Sequence, residues 1–193
     1  MSKAKKERGA AARLDELLEA GDHRAARAEA ARLLRQLGLA VSWRRAGASE
    51  PVLDGEVRVI LLDRAVVGEA RASVLGATPT HVEGSPFVWI HVPGVRQAVG
   101  VGAGALEASD GFRLGVALGR VIAHELVHAL APSVPHGEGL MKSRLTRADL
   151  TTSAPVTPQL AALVRAALAG APGPARPDTG LLAAEHARGE QRR

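Results

Sequence analysis

The chain has 193 residues, enough for one domain with a sizeable core, and its lack of cysteine excludes disulfides, thiolate metal sites and a cysteine nucleophile. With two Trp, two Phe and no Tyr, it offers the bases of single-stranded nucleic acid little to stack on. The net charge of +5 lies entirely in residues 1–45, which hold eleven Lys or Arg against six Asp or Glu, whereas the remainder is balanced.

The basic residues 1–45 form the first predicted unit. Leucines and alanines recur there at three- and four-residue steps, which predicts a helix over residues 10–37 that ends at Gly38. Gly21 and Asp22 interrupt the pattern and could divide the helix in two, with Asp22 as the N-cap of the second part. A solubilising amphipathic helix is the favoured interpretation, and contact with nucleic acid, an anionic membrane or an acidic partner is the alternative.

The two ends of the chain carry no predicted membrane signal. The first lysines are followed by a charged helix rather than by an apolar stretch, so we expect no signal peptide. No apolar stretch is long enough to span a bilayer, and we therefore expect a cytoplasmic chain without a membrane span. Residues 171–193 are rich in Pro, Gly, Ala and charge and are predicted to form a flexible tail.

Three short segments have the apolar, β-branched composition of strands: Leu39–Trp43, Val57–Leu62 and Phe87–Val92. Prolines flank the third segment on both sides, which predicts an edge strand. An extended peptide can pair with such an edge through its main chain. Residues 94–111 are rich in glycine and are predicted to form a long loop. Their glycine run lacks the lysine of a nucleotide-binding loop.

Residues 112–131 are predicted to form one long helix that is apolar on nearly every side and therefore buried. Its few charged side chains are Arg113, Arg120 and Glu125. Small residues recur at every fourth position, namely Gly111, Gly115, Gly119 and Ala123, and such a stripe would let another element approach closely. Pro132 ends the helix. Shorter helices are predicted near Thr146–Leu150 and Thr157–Ala169.

The motif His124-Glu125-Leu126-Val127-His128 lies inside this helix. Two histidines four residues apart lie on one helix face, so both rings can reach a single metal ion. Glu125 stands beside the first of them, where a carboxylate can take a proton from a metal-activated water. The pattern is short, but burying these groups in an apolar helix without a task would be costly. We therefore predict a catalytic metal site rather than ordinary polar residues.

A third ligand is expected beyond the helix. Pro132 and Pro135 lead the chain out of the helix, and His136 follows among glycines that allow a tight reversal. Three neutral histidines leave zinc one open position, which is typical of catalytic rather than structural sites. Met141 lies shortly afterwards. It could form a turn beneath the metal or, with equal weight, simply fill the core.

The stretch from Ala117 to Leu150 resembles the zincin metallopeptidases, and more narrowly a group of uncharacterised bacterial metzincin-like proteases. The shared features are the His-Glu-x-x-His helix, a third His eight residues after the second, and the Gly-Leu-Met segment that ends at Met141. In the metzincins proper the third His comes six residues after the second, where this chain has Val134. The resemblance implies an α+β, zincin-like fold in which a small mixed sheet packs on a backing helix and a buried active-site helix.

Three segments are therefore expected: the basic helical segment 1–45, a zincin-like catalytic domain over 46–170, and the tail 171–193. The expected function is zinc-dependent hydrolysis of peptide bonds in a peptide or protein substrate. The expected metal ligands are His124, His128 and His136, with Glu125 as general base and Met141 in a methionine turn. The edge strand would bind the substrate through Val88, Trp89 and Ile90.

Two points stay open from the sequence. Metzincins often use a Tyr to stabilise the oxyanion, and this chain has none. Lys142, Arg144 and His91 are candidates for that role by position, although a surface position is the favoured interpretation of His91. The alternative function is a non-catalytic, zinc-stabilised binding or regulatory module, associated with nucleic acid through the basic N-terminus.

Overall fold

The computed structural model describes residues 20–47, 50–53, 55–63, 74–79, 87–102, 107–152 and 156–170. These residues form a mixed α+β fold, so the predicted fold class is confirmed at that level. Outside the described residues lie the predicted helical residues 10–19, the predicted tail 171–193, His81 and part of the glycine run.

The described helices are α1 (Ala20–Gln36), α2 (Val92–Val99), α3 (Ala108–Leu130), α4 (Arg147–Thr151) and α5 (Pro158–Leu168). The strands are β1 (Arg58–Leu62), β2 (Gly76–Ala77) and β3 (Phe87–His91), and a 3-10 turn spans Gly139–Met141. Helix α3 is the centre of the arrangement, since it contacts α1, α2 and α4 as well as β2 and β3. None of the helices described in the structure is long and apolar enough to cross a membrane.

Strand β3 lies in the middle of the sheet, whose order is β1-β3-β2. It pairs in parallel with β1 and antiparallel with β2. The predicted edge position of this segment is therefore wrong. The proline that follows the strand, Pro93, lies in the first turn of α2, where its missing N–H removes no hydrogen bond from the ladder.

The central position also removes the basis for a docking role of Val88, Trp89 and Ile90. Trp89 pairs with Ile60 on one side and with Ala77 on the other, and Ile90 is paired on both sides in the same way. The side chains of Val88 and Ile90 are fully buried. In the described sheet the main chain of Trp89 and Ile90 thus already has a neighbour on both sides, whereas Val88 is paired with Val59 of β1.

The predicted loop over residues 94–111 is wrong at both ends, because α2 begins at Val92 and α3 already begins at Ala108. Pro93 fits the first turn of a helix, where its fixed φ is already suitable. Gly100 then ends α2 in the left-handed conformation, with a φ of 71°, and its N–H donates to the carbonyls of Arg96 and Gln97. The same Pro and Gly that suggest a loop thus start and stop a short helix.

Residues 39–43 are not a strand, although their predicted alternation is present. Leu39, Val41 and Trp43 are partly buried and pack against the core, whereas the residues between them are exposed. No ladder partner pairs with this segment in the described part of the chain. Alternation shows that one side of an extended segment is covered, but a strand also needs a neighbouring main chain.

Helix α1 packs closely against α3 at the predicted stripe of small residues. A Cβ at Gly119 would lie 2.5 Å from the carbonyl oxygen of Ala26 and 2.8 Å from Cβ of Glu29. The close approach predicted for this stripe is therefore confirmed at Gly119. The buried side chains of α1 join the same core as those of α3, so that core includes residues from both sides of the predicted boundary near residue 45.

We expect Gly119→Ala to lower the free energy of unfolding by about 1–3 kcal/mol, because the added methyl group meets main-chain atoms of α1 that cannot rotate away. Urea denaturation measures the change. Gly102→Ala is the matched control, since nothing lies within 4 Å of a Cβ there. Unchanged or increased stability of Gly119→Ala would show that the helices can separate at no cost.

Candidate metal centre

Helix α3 presents His124 and His128 one turn apart, close to its C-terminal end. Their ring centroids are 4.8 Å apart. His124 and the adjacent Glu125 are buried, in a helix whose residues from Ala117 to Val127 are all buried. Polar groups in such surroundings are costly unless they have partners, which agrees with the prediction of a functional site in this helix.

The segment after α3 brings His136 back to the two helical histidines. The chain leaves the helix at Ala131, and a reversal closes where the N–H of Gly137 donates to the carbonyl of Met141. The ring of His136 then stacks on His124, with centroids 5.4 Å apart. Its Nε2 lies 3.1 Å from Nε2 of His128. The structure thus brings together the three histidines that the sequence predicts as ligands.

The spacing of these nitrogens suits one metal ion. One ligand nitrogen from each ring lies within 4.8 Å of the others. Two nitrogens that each lie about 2.0–2.1 Å from a tetrahedral zinc are separated by about 3.3 Å, close to the distance between His128 and His136. The cluster could therefore hold a metal ion.

The 3-10 turn holds the first of these rings in place. Nδ1 of His124 lies 2.8 Å from the carbonyl oxygen of Leu140. A carbonyl only accepts hydrogen bonds, so Nδ1 carries the proton and Nε2 keeps the lone pair that a metal needs. Leu140 and Met141 are buried in the hydrophobic core. The turn around Met141 therefore both fills the core and, through the preceding carbonyl, orients a ligand.

Burial and mutual proximity favour neutral imidazoles in this cluster. Burial lowers the pKa of His124 below its ordinary value. His136 is exposed as a residue, but its ring is partly desolvated against the other two. That desolvation, followed by repulsion from His124, lowers the pKa of His136 as well. Neutral imidazole is the form that binds metal, so the cluster is prepared for a ligand role at neutral pH.

Glu125 is the buried acid beside the cluster. Burial raises its pKa, against the hydrogen bond from Thr78 and the attraction of His136, both of which favour the charged form. Glu125 directly follows His124 in the helix, and its carboxylate is not a member of the ligand group. A carboxylate in this position can exchange protons with a group held at the histidines.

Thr78 is a site residue that sequence reasoning missed. Its hydroxyl lies 2.8 Å from Oε2 of Glu125, although the two residues are 47 positions apart in the chain. The adjoining strand β2 approaches α3 closely, since a Cβ at Gly76 would lie 3.0 Å from Cγ of Glu125. Residues 64–76 have an ambiguous sequence pattern, so no local signal predicts this contact.

The three candidates for stabilising an oxyanion have other surroundings in the structure. The ammonium group of Lys142 pairs with Asp149 at 2.6 Å and holds the pKa of that carboxyl at about 2. His91 is buried at the end of β3, so its predicted surface position is wrong. Arg144 is exposed between the 3-10 turn and α4. The role of an oxyanion donor thus stays a prediction for each of them.

No protein-family model matches the chain, and no significant match is found among the curated proteins or the solved structures.

Proposed function

We propose that the protein is a zinc-dependent peptidase. The observation that carries the proposal is the convergence of His124, His128 and His136 within 4.8 Å, with a buried carboxylate beside them that is not itself part of the ligand group. A purely structural site needs ligands only. The additional carboxylate supports a catalytic function, because it supplies a base next to the metal position.

Peptide hydrolysis needs an activated water and a group that moves its proton. When bound, zinc would supply a Lewis acid that acidifies a water molecule and polarises an amide carbonyl. Glu125 accepts the proton that the attacking water loses and then donates it to the departing amine. Its burial raises its pKa, which makes it a stronger base than an exposed carboxylate.

Zinc is proposed as the metal because three imidazoles with one open position form its usual catalytic set. Carboxylate-rich sites favour magnesium or calcium, and the ligand group here contains only histidines. Cobalt, nickel and copper also accept imidazole ligands, so metal analysis decides between them.

The peptide substrate is proposed to bind along β2 rather than β3. Strand β2 is an edge of the described sheet, and it lies directly against α3 at Glu125. An extended peptide that adds to this edge would pass beside the base and would be held mainly by main-chain hydrogen bonds. Such binding tolerates many side chains and suits a peptidase of broad specificity.

Metal analysis of the purified protein and of His136→Ala tests the site. We expect about one equivalent of zinc in the wild type and little in the variant, since the loss of one of three ligands leaves too few protein donors. His136 is exposed, so its replacement should not unfold the chain by itself. His23→Ala, a change on α1, is the control. Equal metal content in wild type and His136→Ala would contradict the proposed ligand set.

A zinc-stabilised binding or regulatory module is the second candidate function. It is favoured by one observation, namely that Lys142, one of the three candidates for an oxyanion donor, is paired with Asp149 in a chain without Tyr. The two candidates differ in what they require of Glu125, because only the peptidase needs a base.

A further inference from the structure

The proposed function does not use the contact between Thr78 and Glu125, in which one hydroxyl lies close to two acceptors. The threonine hydroxyl lies 2.8 Å from Oε2 of Glu125 and 2.9 Å from the carbonyl oxygen of the same residue. A hydroxyl has one hydrogen and can donate to one of these acceptors at a time. The bond to the carboxylate is the stronger choice, because a charged acceptor shortens and strengthens a hydrogen bond.

The main chain fixes the place of this hydroxyl. Gly76 pairs with Ile90 and Ala77 pairs with Trp89, so the residues just before Thr78 are locked to the central strand. A Cβ at Gly76 would lie 3.0 Å from Cγ of Glu125 and 3.1 Å from Cγ1 of Val121, so the absence of a side chain there lets the strand pack close to α3. The sheet therefore holds Thr78 against α3, within hydrogen-bond distance of Glu125.

A glutamate side chain has three rotatable bonds, and an unanchored carboxylate would sample several orientations. The hydrogen bond from Thr78 anchors this carboxylate at Oε2. We propose that Thr78 is a positioning residue that holds the Glu125 carboxylate in the orientation needed for proton transfer. This inference rests on the proposed peptidase function.

The first test compares Thr78→Val with Thr78→Ser in peptide hydrolysis. Valine keeps the shape but removes the hydroxyl, whereas serine keeps the donor. We expect Thr78→Val to lower kcat about ten- to hundredfold with KM changed less than about twofold, because the lost bond orients a base and does not hold the substrate. Thr78→Ser should recover kcat to within about threefold of wild type. Metal content should be about one equivalent in all three proteins.

The second test needs no turnover. A double-mutant cycle combines Thr78→Val with Glu125→Met, which removes the acceptor, and measures unfolding of the metal-loaded proteins by urea. We expect Thr78→Val to change the unfolding equilibrium constant about tenfold more in the wild type than in the Glu125→Met background. Zero coupling would mean that the hydroxyl bonds the main-chain carbonyl instead, and it would overturn the inference.

The outcomes separate the inference from the function on which it rests. If wild type cleaves peptides, Glu125→Gln does not, and Thr78→Val keeps the wild-type kcat, the inference fails and the function stands. Equal loss in the Ser and Val variants would also overturn it, because packing rather than the hydrogen bond would then matter. If the wild type cleaves no peptide, the proposed function fails and the positioning role of Thr78 fails with it, whatever the coupling.

Discussion

Glu125→Gln should leave the protein folded and loaded with metal while lowering peptide hydrolysis by about 10²–10⁴-fold, or about 3–5 kcal/mol of barrier. The amide has nearly the shape of the carboxylate and can still accept a hydrogen bond from Thr78. It cannot take a proton from the attacking water. The ligands His124, His128 and His136 are untouched, so metal content should not change.

The assay is cleavage of an unfolded protein or a peptide library, with a chelator-treated sample beside it. His128→Ala is the contrasting variant and should lose metal and activity together, because a ligand is removed and metal binding contributes to folding. Equal activity of wild type and Glu125→Gln, both with zinc, would contradict the mechanism. A wild type that cleaves nothing but holds its zinc against chelators would establish the binding module instead.

Arg120→Met should destabilise the protein by about 1.5–3 kcal/mol, because hydrogen bonds from a charged donor are lost while Glu29 keeps its pair with Arg32. Arg120 is almost fully buried on α3, and its Nε donates to Glu29 of α1 at 2.9 Å. Its Nη1 donates to the carbonyl oxygens of Asp149 at 2.9 Å and of Thr152. Methionine keeps much of the volume but leaves these acceptors without their buried donor.

Urea or thermal unfolding measures this effect, and Arg113→Met on the same helix is the matched control. Arg113 pairs with Asp110 near the surface, with both side chains about one-third exposed, and such pairs contribute about 0–1 kcal/mol. If both variants lose equally little free energy of unfolding, the contacts of Arg120 do not stabilise the fold.

The cluster of three histidines was predictable because its signal is local. His124 and His128 need only a helix to lie on one face, and the uninterrupted apolar pattern around them indicates that helix. His136 follows within eight residues, with prolines and glycines that force a reversal. The chain needs no distant partner to bring these three side chains together.

Most of the parts that sequence reasoning missed depend on distant pairing. Residues 87–92 have the composition of a strand, but whether a strand is central or at an edge is decided by β2, which has only two paired residues. Thr78 reaches Glu125 across 47 positions, and Arg120 reaches Glu29 across 91. The loop predicted over residues 94–111 has a local cause instead, since proline and glycine indicate a break there, whereas in the structure they begin and end the helix Val92–Val99.

Helix α3 also fixes the angle about its own axis between the face that packs on α1 and the face that carries the histidines. Gly119 faces the main chain of α1, and His124 follows five residues later without any break in the helix. Each residue turns a helix by about 100° and advances it by about 1.5 Å. A single residue inserted between them would leave every motif readable in the sequence, yet it would swing the histidines about 100° away from β2 and His136. The length of the segment 119–124 is therefore as strict a requirement of the centre as its ligands.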